Sequence, residues 1–560
     1  MAEAGRATTL RTPSGARGGA SARPWLEPWT LCLVLVCALL LLRVAALFIS
    51  PLELYPDEAQ YWVWSRRLGL GYFSKPPLIA WAIRTTTALG GQGEAWVRLS
   101  APIFHAVAAL ALARAAVRLY RPGDRSGDNA GAWTGFWTAA IYSLMPGVQL
   151  SSAVIATDAP LMAFLALAVW AYAAFVTSPS AMGRRRAAAW LGAALGLAML
   201  AKYAAVYVGV GVLLHAVVSP AARRRWDPLS LALAAGLFLV FLAPNLGWNL
   251  THGLATLAHT VEAADWGSAG EAAPARELLD PRQAPGFLLS QFGVFGPIPF
   301  AVLLIGAASL FVRPKEESEL KAAADAGPRQ ADVMLLCLAA PALTVALAEA
   351  AIARANANWA AAAYAAGSVL AAAWLVRWRA RGALALTMGL QGALAAFFLL
   401  VFARPDLADG VGLGNSVKRA RGWSAATAAV LERVKAGPRP DAIAADDRFL
   451  FNALAYYGRE AFAAPGAPPL RMWVREVRAR NEAEAASPLG LPDGTRVLVA
   501  AISYPAEAAA DFTRHERLET RRLPLDPKRA LAVTLFDGLG FAPRPRDPRT
   551  GRPIAPPPLN

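Results

Sequence analysis

The sequence predicts an α-helical polytopic membrane protein with about eleven transmembrane helices and a small C-terminal extracytoplasmic α/β domain. Three observations carry this expectation. The 560 residues are 56% hydrophobic and only 17% charged, against roughly 25% charged in a soluble protein. Apolar runs of spanning length recur between residues 28 and 403, separated by short arginine clusters. Beyond residue 404 the chain turns polar and alternates helix-like stretches (416–435, 448–459) with strand-like runs such as Arg496–Ile502 and Leu531–Phe536.

Residues 1–27 carry Arg6, Arg11, Arg17 and Arg23 among Gly, Ala and Ser, which predicts a disordered tail held in the cytoplasm by the positive-inside rule. The run from Pro28 to Phe48 exceeds the roughly 7–15-residue core of a cleavable signal peptide and reads as the first span. Further spans are expected near 97–117, 131–150, 159–177, 228–249, 286–312, 331–352, 357–376 and 383–403. Arg184–Arg186 and Arg223–Arg225 are both expected inside, so the chain between them crosses an even number of times, as two short helices meeting at Lys202. The transmembrane domain then covers 28–403, the extracytoplasmic domain 404–540, and an extended or disordered proline-rich tail 541–560.

The excess of 55 Lys+Arg over 39 Asp+Glu is explained by topology rather than by nucleic acid, because the arginines fall between apolar runs. Cys32, Cys37 and Cys337 all lie in apolar runs, where neither a metal cluster nor a disulfide framework is expected. No HExxH, glycine-rich phosphate loop or Ser-His-Asp arrangement is present, which argues against a metalloprotease, an ATP-driven pump and a serine hydrolase.

On the predicted topology the outer side receives a loop at about 49–96, the turn Ser151–Asp158, the Lys202 tip, a loop at about 250–285 and the Arg354–Asn358 turn. Lys75, Arg98, Lys202 and Arg354 break the charge pattern there. Asp57 and Glu58 follow Pro56 and open a helix-like run, so either carboxylate could simply cap it. A partly desolvated carboxylate at that position also has its pKa raised and can take a proton from an acceptor near neutral pH. Lys75, between Ser74 and Pro76-Pro77, either snorkels to lipid phosphate or neutralises a departing phosphate. Asp158 and Lys202 have the same two readings, a cap or snorkel against a site residue. His252 and His259 lie seven apart, two helical turns, and could share one face; two histidines alone are a weak metal signal.

Pro56-Asp57-Glu58-Ala59-Gln60-Tyr61-Trp62, Gly71-Tyr72-Phe73-Ser74-Lys75-Pro76-Pro77-Leu78, Val97-Arg98-Leu99, Thr157-Asp158-Ala159-Pro160-Leu161, Trp248-Asn249-Leu250-Thr251-His252-Gly253 and Asn358-Trp359 together resemble the bacterial dolichyl-phosphate-mannose-protein mannosyltransferase-like family. That family belongs to the GT-C glycosyltransferases and includes the lipid A aminoarabinose transferases. The resemblance covers about residues 28–403. It implies an inverting membrane glycosyltransferase that moves a sugar from a polyprenyl-phosphate donor to a lipid, glycan or protein acceptor on the outer face of the cytoplasmic membrane. It also implies catalytic roles for Asp57, Glu58 and Asp158, and a substrate-binding set of Tyr61, Lys75, Arg98, Lys202, His252, His259 and Asn358. No nucleotide or redox cofactor is needed. In the aminoarabinose transferases a glutamate precedes the lysine and pairs with a histidine around a metal ion. Ser74 stands at that position here, which argues against a bound metal and against lipid A as acceptor; His259 is the match for the histidine, and a divalent metal is the one cofactor left open.

Two rivals differ in kind. A lipid-linked sugar transporter or flippase predicts polar groups near mid-membrane and matched internal halves. An inactive scaffold predicts normal function after Asp57→Ala.

Overall fold

The computed structural model describes residues 27–121, 130–263, 283–311, 319–352, 355–490, 492, 494–547 and 552–554. Among them six helices are long and apolar enough to cross a membrane: Pro28–Ile49, Glu94–Leu119, Asp158–Thr177, Pro228–Thr251, Gly327–Ile352 and Arg381–Ala403. A bent pair, Gln283–Val294 and Pro297–Leu310, brings the count to at most seven. The single span expected over 286–312 is therefore corrected: the chain turns by 118° there, and Gly296 takes the φ of 103° that the break requires. The span expected over 131–150 is likewise two helices, Ala130–Leu144 and Pro146–Ala153. Pro146 has no N–H to continue the first and starts the second. Tyr203–Val218 and Ala363–Arg377 are shorter apolar helices.

Alanine and glycine let these helices approach closely, since between apolar helices in lipid the attraction is mainly close packing. The helix Ala181–Ala201 packs on Pro228–Thr251 through Gly192 and Gly196. A Cβ at Gly192 would lie 2.0 Å from the carbonyl oxygen of Ala234, and one at Gly196 would lie 2.9 Å from that of Phe238. This seam fixes where Ala181–Ala201 ends, and therefore where Lys202 stands. Lys202 is extended (φ −162°, ψ 136°) before a short 3₁₀ turn, Tyr203–Ala205.

The segment from Ile49 to Glu94 folds over one end of the bundle as two short helices, Pro56–Arg66 and Leu78–Gly90. A five-stranded sheet follows later in the chain, in the order β2-β1-β3-β5-β4. Its strands are β1 (Ala442–Ala445), β2 (Leu470–Met472), β3 (Arg496–Ala501), β4 (Phe512–Asp526) and β5 (Arg529–Phe541). β1 runs parallel to both β2 and β3, whereas β5 is antiparallel to β3 and β4. The expected tail is docked at its start: Arg544 and Arg546 pair with buried Asp511 at 2.9 and 2.8 Å. Residues 548–551 and 555–560 lie outside the described residues.

The sheet domain sits directly on the Ile49–Glu94 segment. Tyr457 Oη accepts from Leu54 N at 2.8 Å, and Tyr456 Oη donates to the Gln92 carbonyl at 2.6 Å. Glu53 accepts from the N–H groups of Trp423 (2.6 Å) and Ser424 (3.2 Å), so it caps the helix Trp423–Ala436 from outside that helix's own chain segment.

Candidate active site

Asp57 and Glu58 are consecutive, yet they point into different environments. Glu58 is fully buried. Arg98 grips it through Nε at 2.9 Å and Nη2 at 2.7 Å, while the N–H groups of Tyr55 and Ile155 donate to it, each at 2.8 Å. The rest of Arg98 donates to the carbonyls of Leu52 (3.0 Å) and Glu53 (2.7 Å). Both residues were expected to face substrate; the structure instead closes them into a buried, hydrogen-bonded pair with no surface left for a ligand. Its effect is mechanical, since it ties the loop before Asp57 to the backbone just ahead of Asp158.

Asp57 is exposed, with 57% of its side chain accessible. The desolvation expected of it is absent. Its neighbour is Arg448, whose Nη2 lies 3.7 Å from Asp57 Oδ1 and whose Nη1 donates to Gln60 Oε1 at 3.1 Å. Asp158 opens the helix Asp158–Thr177. It accepts from Lys202 Nζ at 2.8 Å and from Asn358 Nδ2 at 3.2 Å, so three residues up to 200 positions apart meet at one carboxylate.

Lys75 lies between these two clusters and is partly buried. Burial, and then the charge of Lys202, push its ammonium below the ordinary lysine value near 10.5, with Asp57, Asp158 and Arg448 also acting on it. Among the described residues its ammonium has no hydrogen-bond or ion-pair partner. Tyr61 is buried against Trp64, 5.3 Å between ring centroids, and burial followed by Asp57 and Asp158 holds its phenol well above the ordinary value, hence neutral.

The Lys75 loop is held from two sides. Asn245 donates to the Leu70 carbonyl at 2.7 Å, Thr256 to the Tyr72 carbonyl at 2.7 Å, and from the sheet domain Glu482 accepts from Phe73 N at 2.8 Å. Gly71 has to be glycine, because a Cβ would lie 2.4 Å from the Trp248 ring.

The histidines do not share a face. Between them the helix breaks at Gly253 (φ 62°) and Leu254 (φ 56°), so His252 ends one helix and His259 lies in the next, Ala255–Ala263. His252 is exposed and stacks on Trp248 at 4.2 Å; His259 packs edge-on against Phe73 at 6.1 Å, and burial lowers its pKa. Ser74 is buried beside Phe73, and among the described residues no group of three potential ligands could hold a divalent metal. Arg354 lies outside the described residues.

The residue that sequence reasoning missed is Arg448. It follows Asp446-Asp447 at the carboxyl end of β1, a strand flanked by parallel neighbours, and such strand ends are where α/β sheets gather ligands. That pattern was legible, but its pairing with Asp57, 391 positions earlier, was not.

Residues 74–248 match the family described as dolichyl-phosphate-mannose-protein mannosyltransferase. The lipid A galacturonosyltransferase RgtD of Rhizobium johnstonii is 35% identical over 374 residues, covering 67% of this chain and 71% of that protein. The fold is similar to crystal structures of ArnT from Cupriavidus metallidurans. The apo form gives a TM-score of 0.59 at 16% identity, and the form bound to undecaprenyl phosphate 0.60 at 18%; each covers 90% of this chain and 97% of the other.

Proposed function

Because the chain belongs to the dolichyl-phosphate-mannose-protein mannosyltransferase-like family of GT-C glycosyltransferases, related to the lipid A-modifying transferases, we propose how its residues divide the reaction. The protein is a multi-pass membrane glycosyltransferase that uses a polyprenyl-phosphate-linked sugar. The transferred sugar is galacturonic acid and the acceptor a lipid A-type glycolipid, a reading supported by the 35% identity to a lipid A galacturonosyltransferase. Ser74 then bears on metal binding alone and not on the acceptor.

Asp57 takes the proton of the acceptor hydroxyl as that oxygen bonds to the anomeric carbon. On the opposite side the bond to the phosphate oxygen breaks, and the polyprenyl phosphate leaves with its added negative charge. Lys75 holds that phosphate, joined by Lys202, whose position is set by Asp158 and Asn358. Tyr61 supplies a neutral wall, and His252 and His259 border the Lys75 loop. Glu58 and Arg98 act as positioning residues. The reaction occurs on the outer face, with the N-terminus inside, about eleven crossings counted with the shorter helices, and the sheet domain outside.

The observation that carries this reading is Lys75, a partly buried cation whose ammonium has no partner among the described residues, set between an exposed carboxylate and a paired one. A charge left in that state is stabilised by an anion that the protein does not itself supply. The test is transfer of radiolabelled sugar from polyprenyl-phosphate donors into membrane lipid, glycan and protein fractions by the wild-type chain and Asp57→Asn. Label entering the lipid fraction only when Asp57 is present supports the assignment. Equal transfer by Asp57→Asn sinks it, and no consumption of any donor brings back the transporter.

A further inference from the structure

Arg448 belongs to the sheet domain yet stands beside the proposed base. Its guanidinium makes one hydrogen bond to the described residues, to buried Gln60 at 3.1 Å, and lies beyond hydrogen-bond distance, 3.7 Å, from Asp57. With 35% of the side chain accessible, most of its five N–H donors remain available to a ligand. It is one docking contact among several. Tyr456, Tyr457, Glu53 and Glu482 make that interface through other atoms.

Position narrows what Arg448 can touch. In an inverting displacement the attacking oxygen and the leaving phosphate lie on opposite faces of the anomeric carbon. A group beside Asp57 is thus separated from the phosphate by the sugar ring and meets ring substituents. Lys75 and Lys202 already serve the phosphate end. An arginine fork is matched to a planar carboxylate, which it binds through two parallel hydrogen bonds. We propose that Arg448 is a specificity residue of the sheet domain that binds a carboxylate on the transferred sugar, so that the domain selects acidic over neutral donors. This rests on the glycosyltransferase reading above and on its acidic sugar.

The experiment uses the full-length protein in lipid nanodiscs with purified lipid A as acceptor. It compares kcat/KM for polyprenyl-phosphate galacturonate and polyprenyl-phosphate galactose in wild type, Arg448→Gln and Arg448→Lys. The acidic-to-neutral ratio is expected to fall about 10- to 100-fold in Arg448→Gln and less in Arg448→Lys, which keeps the charge without the fork. A ratio that stays at the wild-type value overturns the proposal. If both donors slow together through the acceptor KM, Arg448 contacts the acceptor instead. If neither changes, it is only a docking contact. Wild type consuming neither donor is a separate result that rejects the glycosyltransfer reading itself. Size-exclusion profiles and thermal midpoints of the variants establish that each ratio comes from folded protein.

Discussion

Asp57 and Glu58 share a backbone turn and a charge, but one carboxylate is open and the other sealed. Glu58 has every lone pair directed at an arginine or a backbone N–H, whereas Asp57 is mostly accessible, with the Arg448 guanidinium 3.7 Å away. The sealed pair offers nothing to substrate, and its worth lies in holding three chain segments together. The open carboxylate is left accessible, 57% of its side chain. Adjacent acids in a motif are therefore not interchangeable evidence of catalysis; hydrogen-bond saturation separates them.

The strongest way to break the comparison is to neutralise both acids in turn. Asp57→Asn should lower kcat by roughly 10²–10⁴-fold, the usual span for a general base, with an unchanged thermal midpoint in detergent. A kcat within threefold of wild type would remove Asp57 from the mechanism. Glu58→Ala should show the opposite signature. Leaving Arg98 buried and unpaired costs about 3–5 kcal/mol, so thermal unfolding moves to lower temperature and activity falls in proportion to the folded fraction. A stable Glu58→Ala protein would mean that the pair is dispensable for the fold.

Asp158 tests an intermediate case, since it is paired but partly accessible, 18% of its side chain. Asp158→Asn should raise the donor KM by about tenfold, the effect of loosening one charge-assisted contact to Lys202, with little change in the acceptor KM. An effect confined to the acceptor would reassign this cluster to the acceptor side. The smallest expected effect is a pH dependence. Lys75 is charged below its pKa, and burial together with Lys202 depresses that pKa. Donor binding should be intact at lower pH and weaken as pH rises through a value below 10.5. Lys75→Arg should move that limb to higher pH because a guanidinium stays protonated. Identical alkaline limbs in the two proteins would exclude Lys75 as their source.

Much of the molecule was readable along the chain. Apolar runs of spanning length and arginine clusters predict a polytopic protein, because hydration and bilayer thickness act on composition directly. The meeting of two helices at Lys202 followed from charge bookkeeping and is present. The motifs around Asp158 and Asn358 also named two residues that meet in the structure, at 3.2 Å. Local apolarity, however, does not report a bend: the 118° break before Pro297 lies inside a run that reads as continuous.

What only the tertiary structure decided is which charged groups pair. Ion pairing depends on distances of a few ångströms between residues that lie 40 positions apart for Glu58 and Arg98, 44 for Asp158 and Lys202, and 391 for Asp57 and Arg448. Composition and spacing place such charges at one end of a helical bundle, but the packing of glycine seams and the docking of the sheet domain determine which are satisfied. The sequence by itself therefore determined the membrane class and named the charged residues that meet here. The fold decided which of them are closed into protein hydrogen bonds and which are left open, because pairing needs contact in three dimensions.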